Sequence, residues 1–228
     1  PGAHRARARQ GGQGPGAGAA LRVGRPDLLG AAAAAGLNLS PALAQRVAFQ
    51  EGKDYLKLAT PAPTDSPAGQ VEVVEFFAYS CIHCFNFEPV FSEWLKKKPA
   101  HVNVRRMPVA FNQNFVPMQR FYFALEAMGL VDKLHTKVFK AFHEERLPLT
   151  TAPAIVAWVE KQGVDRNQFI SAFDGAAVKA SQKAVGLQDA YQVEGTPALG
   201  VAGRFYVGGQ GPRTLLVADS LIAEVRKG

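Results

Sequence analysis

Cysteine is nearly missing from this chain: its 228 residues hold two, Cys81 and Cys84. A framework of structural disulfides is therefore excluded. No second Cys-x-x-Cys and no His-x-x-x-His follows, so a closed zinc site would be short of its four ligands. Phe85, not histidine, comes after Cys84, which excludes the Cys-x-x-Cys-His attachment of haem. Long apolar runs are also lacking. The longest candidate, Leu28 to Leu39, falls short of the ~20 residues needed to cross a bilayer. The net charge is +7, but no basic patch is interleaved with aromatics, so nucleic acid is not an expected partner. Lys96, Lys97 and Lys98 read instead as the solvated end of a helix.

What is present centres on Val71 to Trp94. The run Val71 to Ala78 is built largely of Val and Phe and reads as a buried strand, with Tyr79 and Ser80 turning the chain. Phe87, Val90, Phe91, Trp94 and Leu95 then recur at helical spacing, which puts Cys81 on the first helical turn. Unpaired backbone N–H groups and the positive end of the helix dipole favour an ionised sulfur there. His83 adds a further donor when protonated, so Cys81 is expected to be an acidic nucleophile. Cys84, one turn on, is the natural resolving thiol. Glu75 lies inside VEVVEFF between the apolar Val74 and Phe76, where an acid is costly unless it has a role or a partner. A role in taking or relaying the Cys84 proton is expected. The other chemistry open to the motif is metal carriage by Cys81, Cys84 and His83.

These residues resemble the thioredoxin-fold proteins of the DsbA type, the bacterial periplasmic dithiol oxidases, from about Ala48 onward. Glu75, six residues before Cys81, stands where that family has a buried acid in a Glu-Phe-Phe strand. Cys81-Ile82-His83-Cys84 is similar to the family's Cys-Pro-His-Cys, with isoleucine in place of proline. Pro89 matches the proline of the active-site helix in many thioredoxin-fold proteins. Val193-Glu194-Gly195-Thr196-Pro197 looks like the loop carrying the fold's cis-proline. The resemblance implies a disulfide-donating enzyme with no cofactor beyond the Cys81–Cys84 disulfide. It further implies a substrate site at Thr196, Pro197 and Ile82, where a substrate strand pairs with the backbone edge of residue 196. Reduced exported polypeptides are the implied substrates, and a quinone-linked membrane protein of the DsbB kind the implied reoxidant. His83 points toward an oxidant, because stabilising the Cys81 thiolate stabilises the reduced form. Three units of pKa depression below ambient pH would be worth about 4 kcal/mol, or ~90 mV for two electrons. A thioredoxin-like reductase and an oxidase dedicated to one client are the neighbouring readings. An isomerase fits less well, since Gln45 to Gln70 is too short for the dimerisation domain such enzymes add.

The expected fold is α/β, a thioredoxin fold with an inserted helical domain. Residues 45–110 and 193–228 form its two parts, and residues 111–192 the insertion. Met118, Phe121, Tyr122, Leu125 and Met128 form one helical face; Leu134, Val138 and Phe142 a second; Ile155, Trp158 and Val159 a third. Asp165 and Gln168 look like a capping box opening a fourth helix with Phe169, and Val178, Val185 and Leu187 mark a fifth. His101, His135 and His143 read as ordinary surface or cap residues. Ala198 to Val201 and Arg204 to Val207 form a hairpin about Ala202-Gly203.

Residues 1–44 read as a leader. The apolar run behind Arg22 and Arg25, followed by Pro41-Ala42-Leu43-Ala44-Gln45, resembles a signal peptide cleaved after Ala44, with Pro1 to Arg25 as an upstream extension. No arginine adjoins Arg25, so a twin-arginine route is not expected. Cleavage leaves 184 residues at net charge +3. A soluble monomer in the periplasm is the expectation.

Overall fold

The computed structural model describes residues 48–227. The leader, its cleavage site and the upstream extension lie outside the described residues. Among the described residues five strands form one sheet: β1 (Leu56–Lys57), β2 (Val71–Phe77), β3 (Val102–Pro108), β4 (Ala198–Val201) and β5 (Phe205–Gly208), in the order β1-β5-β4-β2-β3. Only β2 and β3 run parallel; the other neighbours are antiparallel. The parallel pair needs a crossover, and α1 (Ile82–Lys97) supplies it. β4 and β5 are joined by a tight turn in which Ala202 and Gly203 both take positive φ, 55° and 66°. A side chain on Gly203 would run into the carbonyl of Ala62, so only glycine fits there.

Between β3 and β4 come α2 (Val116–Ala127), α3 (Val131–His143), α4 (Ala152–Lys161), α5 (Arg166–Asp174) and α6 (Ala176–Ala190); α7 (Arg213–Val225) closes the chain. Gly129, at φ 65°, ends the α2 turn. Asp165 caps α5, its carboxylate accepting from the Gln168 N–H at 2.8 Å. α6 forms where a helix is expected, but with another face inward. Ala177, Ser181, Ala184, Leu187 and Gln188 are buried, while Val185 is exposed. Small residues there let α6 pack closely, which apolarity alone does not signal.

Every residue of β2 is buried. Its residues enter two cores. Val71 and Val73 pack with Phe87 and Phe91 of α1 and Leu215, Val217 and Leu221 of α7. Val74 and Phe76 join the core shared with Phe121, Leu134, Ile155 and Phe169 of the inserted helices. Tyr191, just after α6, is the anchor on that side. Its ring meets Phe76 edge-on at 5.2 Å, its hydroxyl accepts from Gly203 N–H at 3.0 Å, and it occupies the space a side chain on Gly200 would need. The two cysteines therefore sit just beyond the C-terminal end of β2.

Candidate active site

The chain leaves β2 through the turn Ala78 to Cys81, closed by the Cys81 N–H donating to the Ala78 carbonyl at 3.0 Å. Cys81 is then the N-cap of α1, one residue before the helix and not within its first turn. Its sulfur takes the position a serine or aspartate oxygen holds in an ordinary cap, accepting from the Cys84 N–H at 3.3 Å. Across 115 residues of chain, the Cys81 sulfur also lies 3.4 Å from the Thr196 carbonyl. The Thr196–Pro197 bond is cis.

These neighbours separate the two thiols. A hydrogen bond from the Cys84 thiol lowers the Cys81 pKa to about 5 against the burial that opposes it, and the Thr196 side chain and the backbone of Cys84 and His83 add to the effect. Burial pushes Cys84 far the other way; it is only 1% exposed. His83 thus reaches the sulfur through its backbone N–H, while its ring is exposed on the helix surface. The expected ring donor is replaced by a peptide donor, because the first residues of a helix point their N–H groups at the cap.

Beneath α1 lies a buried charged cluster. Glu75 of β2 is 1% exposed and stands 3.3 Å from the guanidinium of Arg106, its register partner on β3, but its Oε2 lacks an aligned hydrogen-bond donor. Burial raises its pKa to about 8, with Arg106 opposing and Glu88 reinforcing. Arg106 prefers Glu88 of α1, donating to it at 2.6 and 2.9 Å. For Glu88 burial also pulls upward, yet His135 and Arg106 hold it down at about 2. His135 completes the cluster, with Nε2 against Arg106 and 3.4 Å from Glu88 and Nδ1 2.9 Å from the Tyr79 hydroxyl.

The sequence reading missed Arg106, Glu88 and His135. His135 is 4% exposed, not a surface residue, and His143 reaches inward to the Tyr79 carbonyl at 2.8 Å. The available signal was the helical spacing of His135, Phe139 and His143 on α3, which puts both histidines on one face with an apolar residue. His101 carries no such contact and borders a separate cavity near the end of α1.

Beside the cysteines runs a groove of about 530 Å³, lined by His83, Phe87, Val90, Thr196, Pro197, Tyr206 and Pro212 among others. Two of the three residues expected at a substrate site, Thr196 and Pro197, border it. Ile82 does not; it is 48% exposed and is not part of the groove lining. Among the described residues no three His, Cys, Asp or Glu side chains are grouped so as to hold a metal ion. Among them, too, no helix is long and apolar enough to cross a membrane.

Comparison with known proteins agrees on one family. The description "DSBA-like thioredoxin domain" matches residues 106–218, from β3 into α7. The chain is 40% identical over 201 residues to the thiol:disulfide interchange protein DsbA of Bordetella parapertussis, covering 86% of this chain and 95% of that protein. It is 38% identical over 188 residues to the Pseudomonas aeruginosa protein of the same name, covering 80% and 89%. The crystal structure of Pseudomonas aeruginosa DsbA superposes with a TM-score of 0.74 at 36% identity, covering 78% of this chain and 95% of that one. That of the oxidoreductase DsbA from Xylella fastidiosa gives 0.74 at 28% identity, covering 79% and 99%.

Proposed function

Since this chain belongs to the DsbA family of thiol:disulfide oxidoreductases, with the thioredoxin-like fold of that family, we propose that it acts as the oxidant, giving its Cys81–Cys84 disulfide to reduced polypeptides in the periplasm. One observation carries this reading. The Cys81 sulfur caps a helix N-terminus and is held acidic, while Cys84 beside it is buried. A stabilised thiolate makes the reduced form the favoured one, so the disulfide takes electrons readily.

In the forward step a substrate thiolate attacks the Cys81 sulfur, the Cys81–Cys84 bond breaks, and Cys84 leaves with the electron pair and takes a proton. A second substrate thiolate then attacks the substrate sulfur of the mixed disulfide and expels Cys81 as a thiolate. The substrate is oxidised by two electrons and the enzyme reduced by two. The acidity of Cys81 makes it the better leaving group in this second step. Glu75, buried and protonated to about pH 8, is the acid we assign to exchange the Cys84 proton. The groove at Thr196 and Pro197 accommodates the substrate chain, and Ile82, exposed between the two cysteines, is proposed to meet it outside the groove. A quinone-linked membrane protein of the DsbB kind is the proposed reoxidant, and no cofactor other than the disulfide is required.

The test is the reduction potential of the Cys81/Cys84 pair in glutathione buffers. A value near the roughly −120 mV known for DsbA supports the oxidant; one near the roughly −270 mV of thioredoxin reverses the direction of electron flow.

A further inference from the structure

Tyr79 occupies the turn that delivers Cys81, and one helix of the insertion holds it at both ends. The face of α3 turned to this turn carries His135, Phe139, Phe142 and His143, spaced as neighbours one, two and slightly over two turns apart. His135 Nδ1 shares a hydrogen bond with the Tyr79 hydroxyl at 2.9 Å, and the His143 Nε2–H donates to the Tyr79 carbonyl at 2.8 Å. Between them Phe139 meets the tyrosine ring edge-on at 5.2 Å, and Phe142 lies parallel to it at 6.4 Å. The His143 ring also stacks at 5.1 Å on Phe85, the residue after Cys84.

Packing alone does not call for this arrangement. A phenylalanine would fill the space of a tyrosine that is 1% exposed, without a hydroxyl to desolvate. The polar atoms are costly there unless each meets its partner in one geometry, and that requirement makes them specify position. His135 is itself held from the far side by Arg106 of β3 and Glu88 of α1, with Glu75 of β2 behind Arg106 and the Tyr122 ring of α2 at 5.9 Å. Tyr79 is thus tied to rigid elements at its two ends, two residues from a sulfur that accepts from the Cys84 N–H at 3.3 Å. Displacing the turn by a few tenths of an ångström would loosen that contact.

We propose that His135 and His143 are positioning residues for the dithiol: through the hydroxyl and carbonyl of Tyr79, α3 sets the turn that holds the Cys81 sulfur against the N-terminus of α1. This rests on Cys81 being the nucleophile. It gives the inserted helices a part in the chemistry itself, in addition to covering the site.

The experiment compares the full chain with its Tyr79→Phe, His143→Phe and His143→Gln variants. Tyr79→Phe removes one oxygen and keeps the ring; His143→Phe keeps the stacking and loses the donor; His143→Gln keeps a donor and loses the ring. Thiolate absorbance across pH gives the Cys81 midpoint, and thermal unfolding of the oxidised form reports the structural cost separately. The expected result is a Cys81 midpoint raised by about half to one unit in Tyr79→Phe and His143→Phe, a roughly three- to tenfold drop in the ratio of thiolate to thiol, with partial recovery in His143→Gln. Variants that lose thermal stability while keeping the wild-type midpoint would overturn the proposal, leaving the histidines as packing. The functional reading fails on a different signal: an ordinary thiol midpoint in the wild type. The positioning effect would then still be read as the difference in reduction potential between wild type and Tyr79→Phe.

Discussion

At the scale of single residues, the two sulfurs differ because one faces a helix end and the other the core. Replacing Cys84 with alanine deletes the thiol that donates to Cys81 but leaves the peptide N–H groups of residues 83 and 84 in place. Cys81 should therefore stay below the ordinary thiol range and accumulate mixed disulfides with added thiols that nothing resolves. Non-reducing electrophoresis would show them as adducts sensitive to dithiothreitol, and their absence would deny Cys81 the nucleophile's role. The depressed pKa also has a stability consequence. A thiol at about 5 in the folded state and 9.0 unfolded favours folding of the reduced protein as pH rises from about 5 toward 9, and that gain is lost as pH falls through 5. The oxidised protein has no such thiol. The gap between the reduced and oxidised melting temperatures should widen with pH across that window, and a constant gap would contradict the assignment.

Among the elements, β2, β3 and α1 jointly bury two carboxylates around one guanidinium. Arg106 satisfies Glu88 with two hydrogen bonds and leaves Glu75 with a poorly aligned contact. Glu75 therefore keeps its proton to about pH 8 in the folded protein, against 4.5 as its ordinary value. For an acid shifted upward the sign is adverse. The folded state holds the proton more tightly, so stability falls as pH rises between about 4.5 and 8. Glu75→Gln should remove this decline and leave a flatter stability profile, measured by urea unfolding at several pH values. A profile parallel to wild type would mean that Glu75 ionises normally. The same variant tests the proton assignment, since it should slow the step that protonates Cys84 without changing the Cys81 midpoint greatly.

Over the whole molecule, the inserted helices share a core with β2, the strand between β4 and β3. Val74, Phe76 and Phe77 of β2 belong to the same cluster as Phe121, Leu134, Ile155 and Phe169, and Tyr191 locks that cluster to β4 and the β4–β5 turn. Neither part can lose its packing without exposing the other. Equilibrium unfolding should be one transition, with far-ultraviolet circular dichroism and tryptophan fluorescence coincident. Trp158 in the insertion and Trp94 on α1 report the two parts separately, so two resolved transitions would show independent domains.

Local order in the chain was enough to determine β2, the turn, the dithiol at the head of α1, the β4–β5 hairpin and a helical stretch between β3 and β4. Each of these is written in neighbouring residues, as a period of two or 3.6, a cap or a turn pair. It also showed Glu75 to be an acid in an apolar strand. What faces what was decided only in three dimensions. Glu75 finds Arg106 because β2 and β3 align in one register, the Cys81 sulfur meets a carbonyl 115 residues away, and His135 and His143 turn inward because α3 docks beside α1. Val185 turns outward because α6 packs through its alanines. A periodic pattern states that an element has a buried face, but the partner of that face, and the pKa of any group on it, depend on contacts distant in sequence and close in space.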